Sequence, residues 1–170
     1  MIWDNIKRKI VERNIAKGLS TSKKERVRSD LKVGSILILA GDYVDKKNFQ
    51  ILANELNVDQ EHLKVIVFKD RIDKEFVLEN EISSKDFGVF GTFKNKRIQA
   101  LLSIPVDLLV NYVQENAYVN KLVLDSNANF KIGNVRENNF LYHLMIDVDS
   151  LDFQGYTSEI IKYLKILNKI

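Results

Sequence analysis

Residues 33–68 read VGSILILAGDYVDKKNFQILANELNVDQEHLKVIVF, and this stretch decides the fold. Its ends, Val33 to Ala40 and Leu63 to Phe68, are short apolar runs of the kind found in strands buried on both faces of a parallel sheet. Between them Phe49, Leu52, Ala53 and Leu56 recur at helical spacing. Asp45 is placed to cap a helix over Lys46 to Leu56, and Asn57 to end it. Strand, helix and strand in this order make a right-handed crossover unit.

The alternation continues outward from this unit. Asp86 to Phe90 reads as a short third strand, Lys96 to Ser103 as a helix stopped by Pro105, and Val106 to Val113 as the next strand. Tyr118 to Leu124 reads as a helix, Phe130 to Gly133 as a short strand and Leu141 to Val148 as the last strand. Thr157 is placed to cap a closing helix over Ser158 to Asn168, whereas residues 72–85 fit no single element. The expected class is α/β: a three-layer sandwich with a Rossmann-like, mainly parallel sheet of five or six strands, preceded by a basic N-terminal helix.

Composition narrows the chemistry. The chain has 170 residues, 45% hydrophobic and 29% charged, enough to bury one sizeable core. With no cysteine, disulfides, zinc–thiolate sites, iron–sulfur ligation and thiol nucleophiles are excluded. No apolar run approaches the roughly 20 residues of a membrane span. Lys7-Arg8-Lys9 and Glu12-Arg13 break what would be the apolar core of a secretory signal, so a cytoplasmic location is expected.

The net charge of +3 is unevenly spread. Residues 1–32 hold ten Lys/Arg against four Asp/Glu, and the rest hold sixteen against nineteen. The chain therefore divides into a basic helical arm over 1–32 and an α/β domain over 33–170. In the arm, Ile2, Trp3, Ile6, Ile10, Val11 and Ile15 form a stripe, with Lys7, Arg8, Arg13 and Lys17 mainly on the other side and Gly18 as the helix stop. Such a stripe most often covers a core, here the domain body, a second copy of the chain or a protein partner. An anionic membrane ranks below that reading. So does nucleic acid, because no aromatics interleave the basic residues.

In a parallel sheet, ligands bind beyond the carboxyl ends of the strands. The first such loop, Ala40-Gly41-Asp42-Tyr43-Val44-Asp45, has one glycine, and neither GxGxxG nor GxxxxGK[ST] occurs in the chain. Asp42 and Asp45 would repel a phosphate there. If the crest holds a ligand, its candidate residues are Asp42, Lys69, Thr92, Asn111, Lys131 and Asn134. No catalytic constellation, cofactor or metal is assigned. Asp147-Val148-Asp149, with Asp152, reads as turn formers rather than a cation site. His143 reads as a satisfied core histidine, His62 as surface, and Glu79 with Glu81 as part of an irregular charged segment. Gly91, in Phe90-Gly91-Thr92-Phe93, suits a positive φ or a close approach.

Val67-Phe68-Lys69-Asp70, Gly91-Thr92-Phe93, Asp107-Leu108-Leu109-Val110, Ser126 to Gly133 and Tyr163 to Asn168 carry a resemblance over nearly the whole chain. It is to a family of uncharacterised Bacteroidetes proteins of about this size with a domain of unknown function, which implies a bacterial protein but no activity. Residues 107–133 alone resemble part of the N-terminal half of heptosyltransferase-type glycosyltransferases, which join two Rossmann-like halves. That likeness implies the fold, and the chain has room for one half. The functional expectation is a small binding or interaction module, with a sugar- or nucleotide-binding domain or enzyme at the crest as the alternative.

Overall fold

A computed structural model of the chain describes residues 2–21, 32–69, 80–88, 90–114, 116–134, 140–148 and 152–170. In chain order the elements are α1 (Ile2–Thr21), β1 (Ile36–Gly41), α2 (Lys46–Glu55), β2 (Leu63–Phe68), β3 (Glu81–Ile82) and α3 (Lys96–Ser103). They continue with β4 (Val106–Asn111), α4 (Ala117–Asp125), β5 (Ala128–Asn134), β6 (Leu144–Ile146) and α5 (Phe153–Ile166). The strands form one sheet in the order β3-β2-β1-β4-β5-β6, and every pairing is parallel. This is the strand order of the doubly wound dinucleotide-binding fold. The order reverses between β1 and β4, where Leu39 pairs with Asn111.

Alternate residues of the central strands feed two cores, one on each face. Leu37, Leu39 and Leu109 pack with Val11 and Ile15 of α1, Ile98 and Leu102 of α3, and Val119 and Leu122 of α4. Ile36, Ile38, Leu108 and Val110 pack with Phe49 and Leu52 of α2 and Ile160 and Leu164 of α5. The layers are thus α1/α3/α4, sheet, and α2/α5. Both faces of β1 are buried, which is why its sequence shows no polar alternation.

Several expectations are corrected. Asp86 to Phe90 is not a strand: residues 84–86 form a 3-10 turn and Phe87 makes a single antiparallel bridge to Phe93. The capping box of Ser83 and Asp86 turns the chain there, and Glu81–Ile82 takes the place beside β2. α5 starts earlier than expected, because Asp152 accepts the N–H of Gly155 at 2.8 Å. Thr157 is instead buried inside the helix and donates to the Phe153 carbonyl at 2.8 Å. β6 spans only Leu144–Ile146, and His143 is exposed at the sheet's outer edge rather than in the core. It is nonetheless satisfied: its Nδ1 accepts the Lys131 N–H at 2.9 Å and its ring stacks on Phe130.

α1 also departs from its reading. It runs through Gly18 to Thr21, because Gly18 is where the helix crosses Leu124, whose methyl lies 2.6 Å from any Cβ placed there. Its apolar stripe divides. Val11 and Ile15 are buried, whereas Trp3 and Ile6 are exposed.

Candidate functional site

The topology fixes the candidate site at the carboxyl edge of the sheet, where β1 and β4 diverge. Four of the six sequence candidates stand along that edge in spatial order: Lys69 after β2, Asp42 after β1, Asn111 ending β4 and Asn134 ending β5. The other two do not join them. Lys131 lies mid-strand opposite Leu109, and its Nζ donates to the carbonyls of Val123 and Ser126 at 2.7 and 3.2 Å, tying down the end of α4. Thr92 lies beneath α1, in an open cleft of about 550 Å³ lined by Asn14, Gly18, Gly91, Lys121, Leu124 and Asp125.

At the switch point the polar groups face one another. Asn111 is buried; its Nδ2 donates to the Tyr142 hydroxyl at 2.8 Å and its Oδ1 accepts the Val113 N–H at 2.9 Å. The Tyr142 hydroxyl donates in turn to Asn120 Oδ1 at 3.3 Å. On the other face, Tyr112 and Thr157 share a hydroxyl–hydroxyl bond of 2.8 Å. Burial pushes the Tyr112 hydroxyl up to about 12, with Thr157 pulling the other way. Lys69 Nζ lies 2.6 Å from Oε1 of the buried Glu81. Asn134 Nδ2 donates to the Val148 carbonyl at 3.0 Å. Asp42 alone of the four projects as an exposed turn residue.

Tyr43, itself half exposed, lies across the same edge. Its ring lies so close over Gly41 that a Cβ at residue 41 would overlap it, which is why glycine ends β1. The ring packs on Phe153 of α5 at 5.7 Å between centroids, and its hydroxyl reaches across the crevice to accept the Gln114 N–H at 3.5 Å. The side chain thus bridges the loop after β1 and the loop after β4. Sequence reasoning missed this role, since an exposed tyrosine two residues beyond a glycine carries no periodic signal.

Helix N-termini offer the other common anion site of this fold, and those of α2 to α5 carry side-chain caps. Asp45, Asn95, Asn116 and Asp152 each accept a backbone N–H in the first turn of α2, α3, α4 and α5. Each cap satisfies amides that a phosphate would otherwise bind, and the two aspartates add repulsion.

Gly91 has the positive φ its sequence suggested, at 70°. What approaches it is helix α1: a Cβ there would lie 2.8 Å from Asn14 Nδ2. Asn14 donates to the Phe90 carbonyl at 2.8 Å, so Phe90-Gly91 is the seat of α1. Glu79, Asp149 and residues 70–71 lie outside the described residues. Among the described residues no three acidic or histidine side chains gather as a metal site, and no helix is long and apolar enough to cross a membrane.

A family model described as "Family of unknown function (DUF6913)" matches residues 7–167. No curated protein and no solved structure matches the chain.

Proposed function

We propose that this chain, which belongs to the DUF6913 family of unknown function, is a binding or interaction module that does not use its switch point as a nucleotide or catalytic site. The observation that carries this reading is Tyr43, spanning from Gly41 to Gln114 over the crevice that a dinucleotide takes in this strand order. The capped helices and the inward network of Asn111, Tyr142 and Asn120 support it. The cytoplasm is the location that goes with this reading, and a cysteine-free sequence is compatible with its reducing conditions.

The test is thermal unfolding against nucleotides, nucleotide sugars and divalent metals. A ligand at 100 times its dissociation constant adds about 2.7 kcal/mol, a shift of several degrees. The expected result is no shift with any of them. A shift of several degrees with one class overturns the reading and restores the second, a sugar- or nucleotide-binding crest. One observation favours that alternative: Lys69, Asp42, Asn111 and Asn134 line up along one edge of the sheet.

A further inference from the structure

α1 is docked along one side only. Val11 and Ile15 are buried in the core and Gly18 meets α4. At roughly 100° per residue, Trp3, Ile6, Ile10 and Arg13 fall on a flank turned away from that side, with Lys9 at its margin. Trp3 is 74% exposed and Ile6 42%. Phe90, 77% exposed, stands beside the same flank, because Asn14 holds its carbonyl. These three are large apolar side chains, on or beside one flank of α1, that the fold leaves in water.

The charged residues on the flank itself, Arg13 and at its margin Lys9, are basic. The two carboxylates of α1, Asp4 and Glu12, fall on other sides of the helix, and Glu12 is 3.6 Å from Arg8. α3, in the same layer, opens with Lys96 and Arg97 and contains no acid. Burial and then Lys94 lower the pKa of Lys7, while Asp4 and Asp86 act the other way. The opposite layer intersperses its lysines with exposed acids such as Asp45 and Glu55.

We propose that this face docks on an anionic lipid bilayer with α1 in the membrane plane. Trp3, Ile6 and Phe90 enter the headgroup boundary, and Lys9 and Arg13 meet the lipid phosphates. An aromatic–aliphatic line edged by cations suits an interface that is apolar below and anionic above. A second copy of the chain fits less well, since a two-fold contact through this flank would gather both copies of Lys9 and Arg13 into one interface of like charge. The inference deepens the interaction role proposed above and rests on that role, though not on the closure of the crest. A ligand that stabilises the crest defeats only the earlier reading, and absent vesicle binding defeats only this one.

Trp3 is the only tryptophan in the chain, so its emission reports the contact directly. Full-length protein is mixed with vesicles of phosphatidylcholine alone or with phosphatidylglycerol added. The expected result is co-sedimentation and a blue shift with the anionic vesicles, both lost at high salt and absent with phosphatidylcholine alone. The double variant Lys9→Gln/Arg13→Gln should partition about 30-fold more weakly while unfolding at the wild-type temperature. Phe90→Ser should weaken binding without unfolding the protein. No blue shift with either vesicle overturns the proposal, as does equal binding to both. A blue shift that grows with protein concentration in the absence of lipid overturns it in favour of self-association.

Discussion

At the switch point, Asn111 gives both ends of its amide to neighbours, Tyr142 and Asn120 continue the chain, and Tyr43 reaches across above them. On the N-terminal half of α1, Trp3 and Ile6 stand in water on a helix whose other half is core. The first region has polar groups turned inward and satisfied, and the second has apolar groups turned outward and uncovered. A buried polar network costs little once every member is paired and is poorly suited to exchanging partners. An exposed apolar line gains free energy only when something covers it. On the proposed reading, contact with other molecules falls on α1 and the crest serves to hold the fold together.

The largest break in this comparison comes from the docked half of α1. Ile15→Ala should destabilise the protein by about 2–5 kcal/mol, as loss of a fully buried side chain does, measured by denaturant unfolding. A cost below about 1 kcal/mol would mean that α1 adds little to the core.

The crest should respond to alkali. The Tyr112 hydroxyl is held neutral by burial, with a pKa raised from 10.0 to about 12. An unfolded tyrosine ionises near 10, so this contribution is intact below that pH and is lost as the pH rises toward 12, by at most about 2–3 kcal/mol. Tyr112→Phe should flatten that part of the stability profile, and an unchanged slope would show that Tyr112 is not the group responsible.

A smaller effect is expected at the seat of α1. Gly91→Ala places a Cβ at φ 70° against Asn14 and should cost about 1–2 kcal/mol. The smallest belongs to the exposed half: Trp3→Ala should move stability by no more than about 0.5 kcal/mol. A larger loss would make Trp3 part of the core and erase the contrast.

Much of the architecture was legible because it rests on local rules. The buried run ILILAG cannot alternate with polar residues, LKVIVF is apolar but for Lys64, and α3 lies over the expected Lys96–Ser103 because Asn95 and Pro105 bracket it. β3 was not legible. A two-residue strand containing Glu81 has no apolar run, and its place depends on the Lys69 ion pair and on hydrogen bonds to β2. The candidate residues were legible as strand ends but not by partner. Lys131 and Asn134 look available in sequence, yet their amine and amide bond to carbonyls reached only through the tertiary fold. The stripe of α1 was legible as amphipathic, but its division was not. Whether Trp3 or Val11 meets the body depends on Gly91 and Gly18, far apart in sequence, admitting the helix at two points.

Amide hydrogen exchange of the full chain, with and without anionic vesicles, tests most directly whether contact falls on α1 rather than on the crest. The account predicts slowed exchange confined to the N-terminal half of α1 and the residues around Phe90, with residues 42–45 and 111–114 unchanged. Slowing at those crest residues with α1 unaltered would contradict it.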